Sequence, residues 1–372
     1  MGRVREIRRL RRRMRIGAPD PRVTGVSGMT AVTELVDRLG MVRLLDTAIG
    51  PIKRRDRGFS GGQLLVGMAA AQLAGEDFLV GLDHQRADVA GQVLAPVAGL
   101  SSTTAAGLAR KFTDGQWQAV ETGVGDIHTV MLAALPPSRA AVLTETVTID
   151  LDTTDVEVYG RKKRGVAYNY QGQRCGRPHV ATWAETATTL AADLMAGDED
   201  PRRHAAELLR RALGALPSTL GSAGGVRLRA DAGYFAGELA RAALFADIEF
   251  AIGAKRIAPL WRLLDGLAET DWTDATCMAG AQVAVAGYCP DWWPAATRLL
   301  IRRVSPGTRA DQRRSSRSAP PHPASRPARP SPHRARRRRR GLRLLVHRDQ
   351  PGCVHTRQSY GGRALVPPPH RD

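Results

Sequence analysis

Near residue 141 the hydrophobic pattern changes its period, and that change limits what the chain can fold into. Upstream, in GMTAVTELVDRLGMVRLLDTAIG, apolar residues recur at helical spacing until Gly50-Pro51 stops the run. Downstream, Val147, Ile149 and Leu151 alternate with Thr148, Asp150 and Asp152, the period of a strand with one buried face. The alternation slips at Thr153–Asp155 and resumes at Val156 and Val158, which predicts a strand end or a bulge there. A helical segment followed by a strand-rich one predicts an α/β chain. Its helical N-terminal region would cover 20–140 and a mixed-sheet core 141–304.

The other elements follow from the same signals. GGQLLVGMAAAQLAG reads as a small-residue helix, and SSTTAAGLARKFTDGQWQAVETG as a helical hairpin opened by Ser/Thr caps. GVAYNYQG and HVATWAE read as strands, and DPRRHAAELLRRALGALP as an amphipathic helix with an Asp cap and a terminal Pro. GVRLRADAGYF is a strand running into Asp231, followed by the helix FAGELARAALF and the strand EFAIGAK. DWTDATCMAGAQVAVAGY and RLLIRRV supply further strand material.

Charge separates the rest of the chain from this body. The net charge is +19, from 55 Lys and Arg against 36 Asp and Glu, a balance that points to a polyanionic partner. From Ser305 onward, however, 17 Arg, 3 Asp and no Lys or Glu give +14, which leaves only +5 for residues 1–304. The Pro/Arg/Ser-rich texture of 305–372 has no period, and composition alone predicts a disordered tail. Residues 1–19 form a basic arm with no apolar segment after it, so they do not resemble a signal peptide. They read either as a DNA-contacting arm or as an extension upstream of a start at Met14 or Met29. Cys175, Cys277, Cys289 and Cys353 form no CxxC pair and read as free thiols of a reducing cytoplasm. No apolar run has the roughly 18 residues a membrane helix needs.

The acidic residues on core-like strands demand a physical reason. Asp150 and Asp152 share one face of their strand, and Asp231 ends another strand just before Gly233. Carboxylates held together repel unless a cation lies between them. Oxygen-only ligands of this kind suit Mg²⁺ or Mn²⁺, ions that assist displacement at phosphodiesters. Asp-Thr-Thr and Asp-Ala-Gly are also ordinary turn sequences, so spacing alone leaves both readings open.

The segments IDLDTTDVEVYGRK, NYQGQRCGRPHVATWAE, DLMAGDEDPRRHAAELLRRAL, VRLRADAGYF, FAIGAKRIAPLW and PDWWPAATRLLIRRV resemble, as a set, a bacterial insertion-sequence transposase of the DDE type. The branch they resemble most is the IS-thirteen-eighty-like one. The resemblance implies an RNase H-like core and catalytic metal ions held by Asp152 and Asp231, with Asp150 as the competing ligand on the same face. It also implies Mg²⁺-dependent (or Mn²⁺-dependent) cleavage and transfer of double-stranded DNA at the element's ends, on the nucleoid of a bacterial cytoplasm. A homodimer is left open. Lys162, Lys163, Arg164 and Arg174 would then contact phosphates; their other reading is a solvated basic hairpin.

One part of the family pattern is missing. The resemblance calls for a third acidic residue, a late Glu with a Tyr-x-x-Arg-like lead-in. Glu238, Glu249 and Glu269 all lack that context, and no Glu follows Ser305. Arg without Lys, among Pro, Ser, Ala and Gly, is what GC-rich DNA yields out of frame. Codons for LVPPPHRD can be chosen so that a neighbouring frame gives Trp-Tyr-Arg-His-Arg-Thr-Ala. LRLLVHRDQP can likewise hide Tyr-Gly-Tyr-Ser-Phe-Ile-Val-Thr-Asn-Leu. The expectation is a frameshift near Ser305 that removes the last core strands and the catalytic Glu, leaving two of three metal ligands. Two further readings follow: an inactive DNA-binding protein that competes at element ends, its helical region 20–140 carrying the specific DNA binding, and a pseudogene product that does not fold.

Overall fold

The computed structural model describes residues 20–304, apart from 56, 161, 218–224, 277 and 296, together with the backbone of 343–348. The chain divides into two units, Met1–Pro136 with Ala215–Ser218, and Pro137–Gly214 with Thr219–Asp372.

The first unit is helical. The long periodic stretch read as one run is two helices, α1 (Met29–Leu39) and α2 (Met41–Ile49). Gly40 separates them in the left-handed region at φ 61°, donating its N–H to Val36 and Asp37 carbonyls. Only a residue without a Cβ adopts that backbone at little cost. Helix α3 (Gly61–Leu73) starts on a reciprocal cap. Ser60 Oγ accepts from Gln63 N at 3.1 Å, and Gln63 Oε1 accepts from Ser60 N at 2.9 Å. Short helices α4 (Gly81–Ala87) and α5 (Val89–Leu94) lead to the expected hairpin of α6 (Ser102–Ala109) and α7 (Asp114–Ala134), capped by Ser101 and Thr113. Leu45, Ile49, Leu64, Leu100, Ala105 and Ile127 close the core of this unit.

The second unit is built on one mixed sheet. After α8 (Pro137–Thr144) come β1 (Thr146–Thr153), β2 (Val156–Glu157), β3 (Ala167–Tyr168), β4 (Arg174–Trp183) and β5 (Thr188–Ala196). Helix α9 (Arg202–Gly214), β6 (Gly225–Ala230), α10 (Gly237–Phe245), β7 (Glu249–Gly253) and α11 (Ala258–Asp265) follow. The chain continues through β8 (Thr273–Asp274), β9 (Ala281–Gly287), β10 (Thr297–Val304) and β11 (Arg343–Arg348). The strand order is β2-β4-β1-β6-β7-β11-β10-β9-β8, with β3 and β5 also on β4. Strands β1, β4 and β5 are antiparallel neighbours, whereas β6 runs parallel to β1 and β7 parallel to β6. Helix α9 buries Ala205, Leu208, Leu209 and Ala212, an i, i+3, i+4, i+7 stripe that fits the amphipathic reading.

Four details complete or change the sequence reading. The slip after Asp152 is a strand end without a bulge: Thr153 pairs with His179 and Val156 with Gly176, three residues further along both strands. GVAYNYQG contributes only the two-residue β3 and a tight turn in which Asn169 Oδ1 accepts from Gln171 N and Gln173 N. Strand β5, TTLAADLMA, had no strand signature because Ala, Leu and Met favour helices; pairing with β4 overrides that preference. In the segment read as a tail, Arg343–Arg348 forms β11, antiparallel to both β7 and β10. The remainder of 305–372, and the basic arm 1–19, lie outside the described residues.

Candidate active site

The parallel pairing of β1 with β6 decides which carboxylates meet. Asp150 lies opposite Arg229 and Leu151 opposite Ala230, so Asp152 and Asp231 each stand one residue beyond the last pair. Asp231 keeps extended backbone, φ −78° and ψ −178°, so the alternation continues and it shares a face with Arg229. Adjacent strands lie about 4.8 Å apart, which sets the two side chains next to each other at the ends of β1 and β6. Both are exposed. Among the described residues Asp152 Oδ1 accepts from Thr153 N, at 2.8 Å, and Asp231 Oδ1 from Gly233 N, at 2.7 Å. Each carboxylate therefore keeps lone pairs free for a ligand.

Asp150, two residues earlier on the same face, has a different fate. Arg229 Nε donates to its Oδ1 at 2.6 Å and Arg229 Nη2 to its Oδ2, a bidentate pair across the ladder. Donating to Asp150 raises the guanidinium pKa. Of the three predicted acidic residues, the fold brings Asp152 and Asp231 together and pairs Asp150 elsewhere.

Two groups beneath this face had no sequence signal. Tyr234, three residues past Asp231, is buried and stacks on His179 of β4, with ring centroids 5.5 Å apart. Burial raises its phenol pKa, and the charges of Asp152 and Asp231 raise it further. His179 is fully buried; desolvation lowers its pKa to about 4, so the imidazole is neutral at pH 7. The third unsignalled residue is Gly253 at the end of β7. A Cβ there would stand 2.7 Å from Ala232 N and 3.0 Å from the Asp231 carbonyl carbon. Its missing side chain lets β7 pass directly under the turn that carries Asp231.

The basic residues form an arm beyond β1. Lys162, Lys163 and Arg164 are exposed and have no acidic partner among the described residues. Arg174, at the start of β4, donates to the carbonyls of Gly160 and Lys163, the latter at 3.0 Å, and so clamps the loop that carries them. Asp155 pairs with Arg177 at 2.7 Å, and that hydrogen bond lowers its pKa.

The carboxylate pair suits a hard divalent cation, since both groups offer free oxygens and no sulfur or imidazole competes. Among the described residues no group of three His, Cys, Asp or Glu side chains forms a metal cluster. The three glutamates considered from sequence are placed elsewhere: Glu238 is exposed on α10, Glu249 pairs with Arg227, and Glu269 with Arg303. No helix among the described residues is long and apolar enough to cross a membrane.

Residues 9–314 match the family described as transposase DDE domain group 1. The chain belongs to that family. DNA is the substrate of these transposases, and they work with divalent metal ions. Among solved structures the chain is similar to the piggyBac transposase in its synaptic complex with hairpin DNA, at 11% identity and a TM-score of 0.32. That alignment covers 86% of this chain and 60% of the piggyBac chain. No curated protein matches the sequence.

Proposed function

We propose that this DDE transposase carries its metal chemistry on Asp152 and Asp231, within an RNase H-like core of the IS-thirteen-eighty-like branch. The observation that carries the proposal is the β1–β6 register, which sets these two aspartates side by side, open, at the ends of neighbouring strands. The order β5-β4-β1-β6-β7, three antiparallel strands and then two parallel ones, supports the RNase H-like assignment.

Asp152 and Asp231 would hold Mg²⁺ (or Mn²⁺). When bound, the ion activates a water or a 3′-hydroxyl and stabilises the leaving oxygen of a phosphodiester. The chain's own residues do the rest. Arg229 neutralises Asp150, so the face presents two free carboxylates instead of three. Gly253 fixes the height of the Asp231 turn. Lys162, Lys163 and Arg164 bind the phosphates of double-stranded DNA at the element's ends, and Arg174 holds their loop in place. A homodimer pairing two ends is part of this proposal.

The third acidic ligand belongs, in this reading, to a neighbouring frame, and strand transfer by the chain as it stands is impaired. The in-frame residues Arg343–Arg348 themselves supply β11 between β7 and β10, so in this reading the neighbouring frame is needed for the third carboxylate and not for that strand. A second reading is an inactive competitor at element ends; Glu249 and Glu269, two of the glutamates that could complete the ligand set, are held in ion pairs with Arg227 and Arg303.

The test is to incubate the full chain with Mg²⁺ or Mn²⁺ and DNA bearing the sequences that flank its gene. Nicking that disappears in Asp152→Asn and Asp231→Asn supports the metal proposal. End-specific binding without nicking supports the competitor, and equal affinity for random DNA sinks end recognition. Resequencing the locus through codon 305 tests the frame: a neighbouring frame without the Tyr-Gly-Tyr-Ser-Phe strand and a late Glu refutes it.

A further inference from the structure

The loop between β2 and β4 shows three tyrosines to solvent: Tyr159 is 82% exposed, Tyr168 66% and Tyr170 88%. They bracket Lys162, Lys163 and Arg164 in sequence. Lone exposed aromatics are ordinary on a protein surface. Here, however, the presentation is built. Tyr170 occupies the tip of a turn closed by Gly172 N donating to Asn169 O at 2.9 Å. Asn169 is buried; its Oδ1 accepts the N–H groups of Gln171 and Gln173, and its Nδ2 donates to Asp155 at 2.8 Å. Asp155 is in turn held by Arg177. An apolar ring on a turn fixed this way loses little conformational freedom when something stacks on it. Its neighbours Lys162, Lys163 and Arg164 are exposed and have no acidic partner among the described residues, which fits a polyanionic partner.

We propose that Tyr168 and Tyr170, together with Lys162, Lys163 and Arg164, form a stacking platform for unpaired bases of the DNA substrate. Tyr168 and Tyr170 offer ring faces, while Lys162, Lys163 and Arg164 hold the adjoining phosphates. This rests on the DNA reading above and adds to it the state of the DNA that is recognised. The ladder also gives the reach. Asp152 lies opposite Val180, and Tyr168 opposite Arg174, six residues along β4. At about 3.4 Å per residue that is about 20 Å. Stacked nucleotides advance about 3.4 Å each, so the platform meets the strand about six nucleotides from the phosphate at Asp152. Base–aromatic stacking tolerates any base, so the contact senses strand separation and not sequence.

The test uses the full chain and two labelled DNAs of one sequence, a blunt duplex and the same duplex with a short single-stranded flap. Wild type binds the flapped DNA more tightly. Combining Tyr168→Ala with Tyr170→Ala removes that preference, lowering flapped-DNA affinity at least about fivefold, and leaves blunt-duplex affinity unchanged. The Tyr168→Phe, Tyr170→Phe pair keeps the preference, because the ring faces remain. Lys162→Ala with Lys163→Ala weakens both DNAs and reduces the salt slope by about 2. Equal wild-type affinity for the two DNAs, or equal loss on both in the alanine pair, overturns the platform while leaving DNA binding intact. No binding of either DNA overturns the transposase reading itself.

Discussion

The middle and the end of β1 carry the same residue type on the same face, and the fold treats them in opposite ways. At the middle, Asp150 faces Arg229 across the ladder and is neutralised. At the end, Asp152 faces Asp231, like charge against like, and neither has a cationic partner among the described residues. The lesson is that a carboxylate's role here is decided by what the neighbouring strand brings to its register position.

The comparison breaks most decisively at the strand ends. Asp152→Asn or Asp231→Asn should lower Mn²⁺ affinity by more than about 100-fold, since even groups that merely orient a ligand are worth 10- to 100-fold. Asp150→Asn should leave that affinity within about threefold. Titration of Mn²⁺ by electron paramagnetic resonance measures all three variants. An Asp150→Asn effect equal to the others would show that both parts of the strand serve the metal.

The buried side of the same strand end gives the next effect. His179 titrates near 4 in the folded chain, against about 6.5 for a free imidazole. Between those values the unfolded chain takes up a proton that the folded chain refuses. The full contribution is therefore present above about pH 6.5, and about 2–3 kcal/mol is lost as pH falls toward 4. Urea midpoints of the wild type and His179→Leu, compared at pH 7.5 and pH 4.5, isolate this contribution. His128 in the helical unit is lowered by burial as well, but that change is common to both proteins.

Smaller effects sharpen the contrast. Gly253→Ala should destabilise the chain by about 1–3 kcal/mol, because the new methyl meets backbone that must shift. It should also weaken Mn²⁺ binding, whereas a merely structural glycine would change stability alone. Asp150→Ala should reduce stability by about 1 kcal/mol, and Arg229→Ala added to it should cost little more, as expected for one partly exposed pair. Thermal midpoints of the two single variants and the double variant close that cycle.

These residues also show which information was local. Asp152 and Asp231 were legible as candidates because a carboxylate interrupting a period-two run stands out within a few residues. Asp150 was indistinguishable from Asp152 by the same rule, since Arg229 becomes its neighbour only through a pairing 79 residues apart in sequence. Gly253 and Tyr234 were silent for a similar reason: their importance lies in what approaches them through space. Strand β5 gave no strand signal of its own, its helix-forming composition yielding to the long edge of β4. Gly40 was visible in the sequence, yet apolar spacing continued across it and hid the break.

The parallel register of β1 and β6 has a kinetic consequence. Parallel strands cannot close through a tight hairpin; here strands β2 to β5 and helix α9 lie between them in the chain. No local fragment contains both halves of the site, and a peptide spanning either strand end would offer a single carboxylate. The site is thus among the later products of folding, because distant contacts must repay a long loop closure before they persist. A divalent ion that needs both aspartates finds nothing to grip in the unfolded chain. Its binding would then raise the unfolding midpoint with concentration, making the ion a reporter of whether this sheet has assembled.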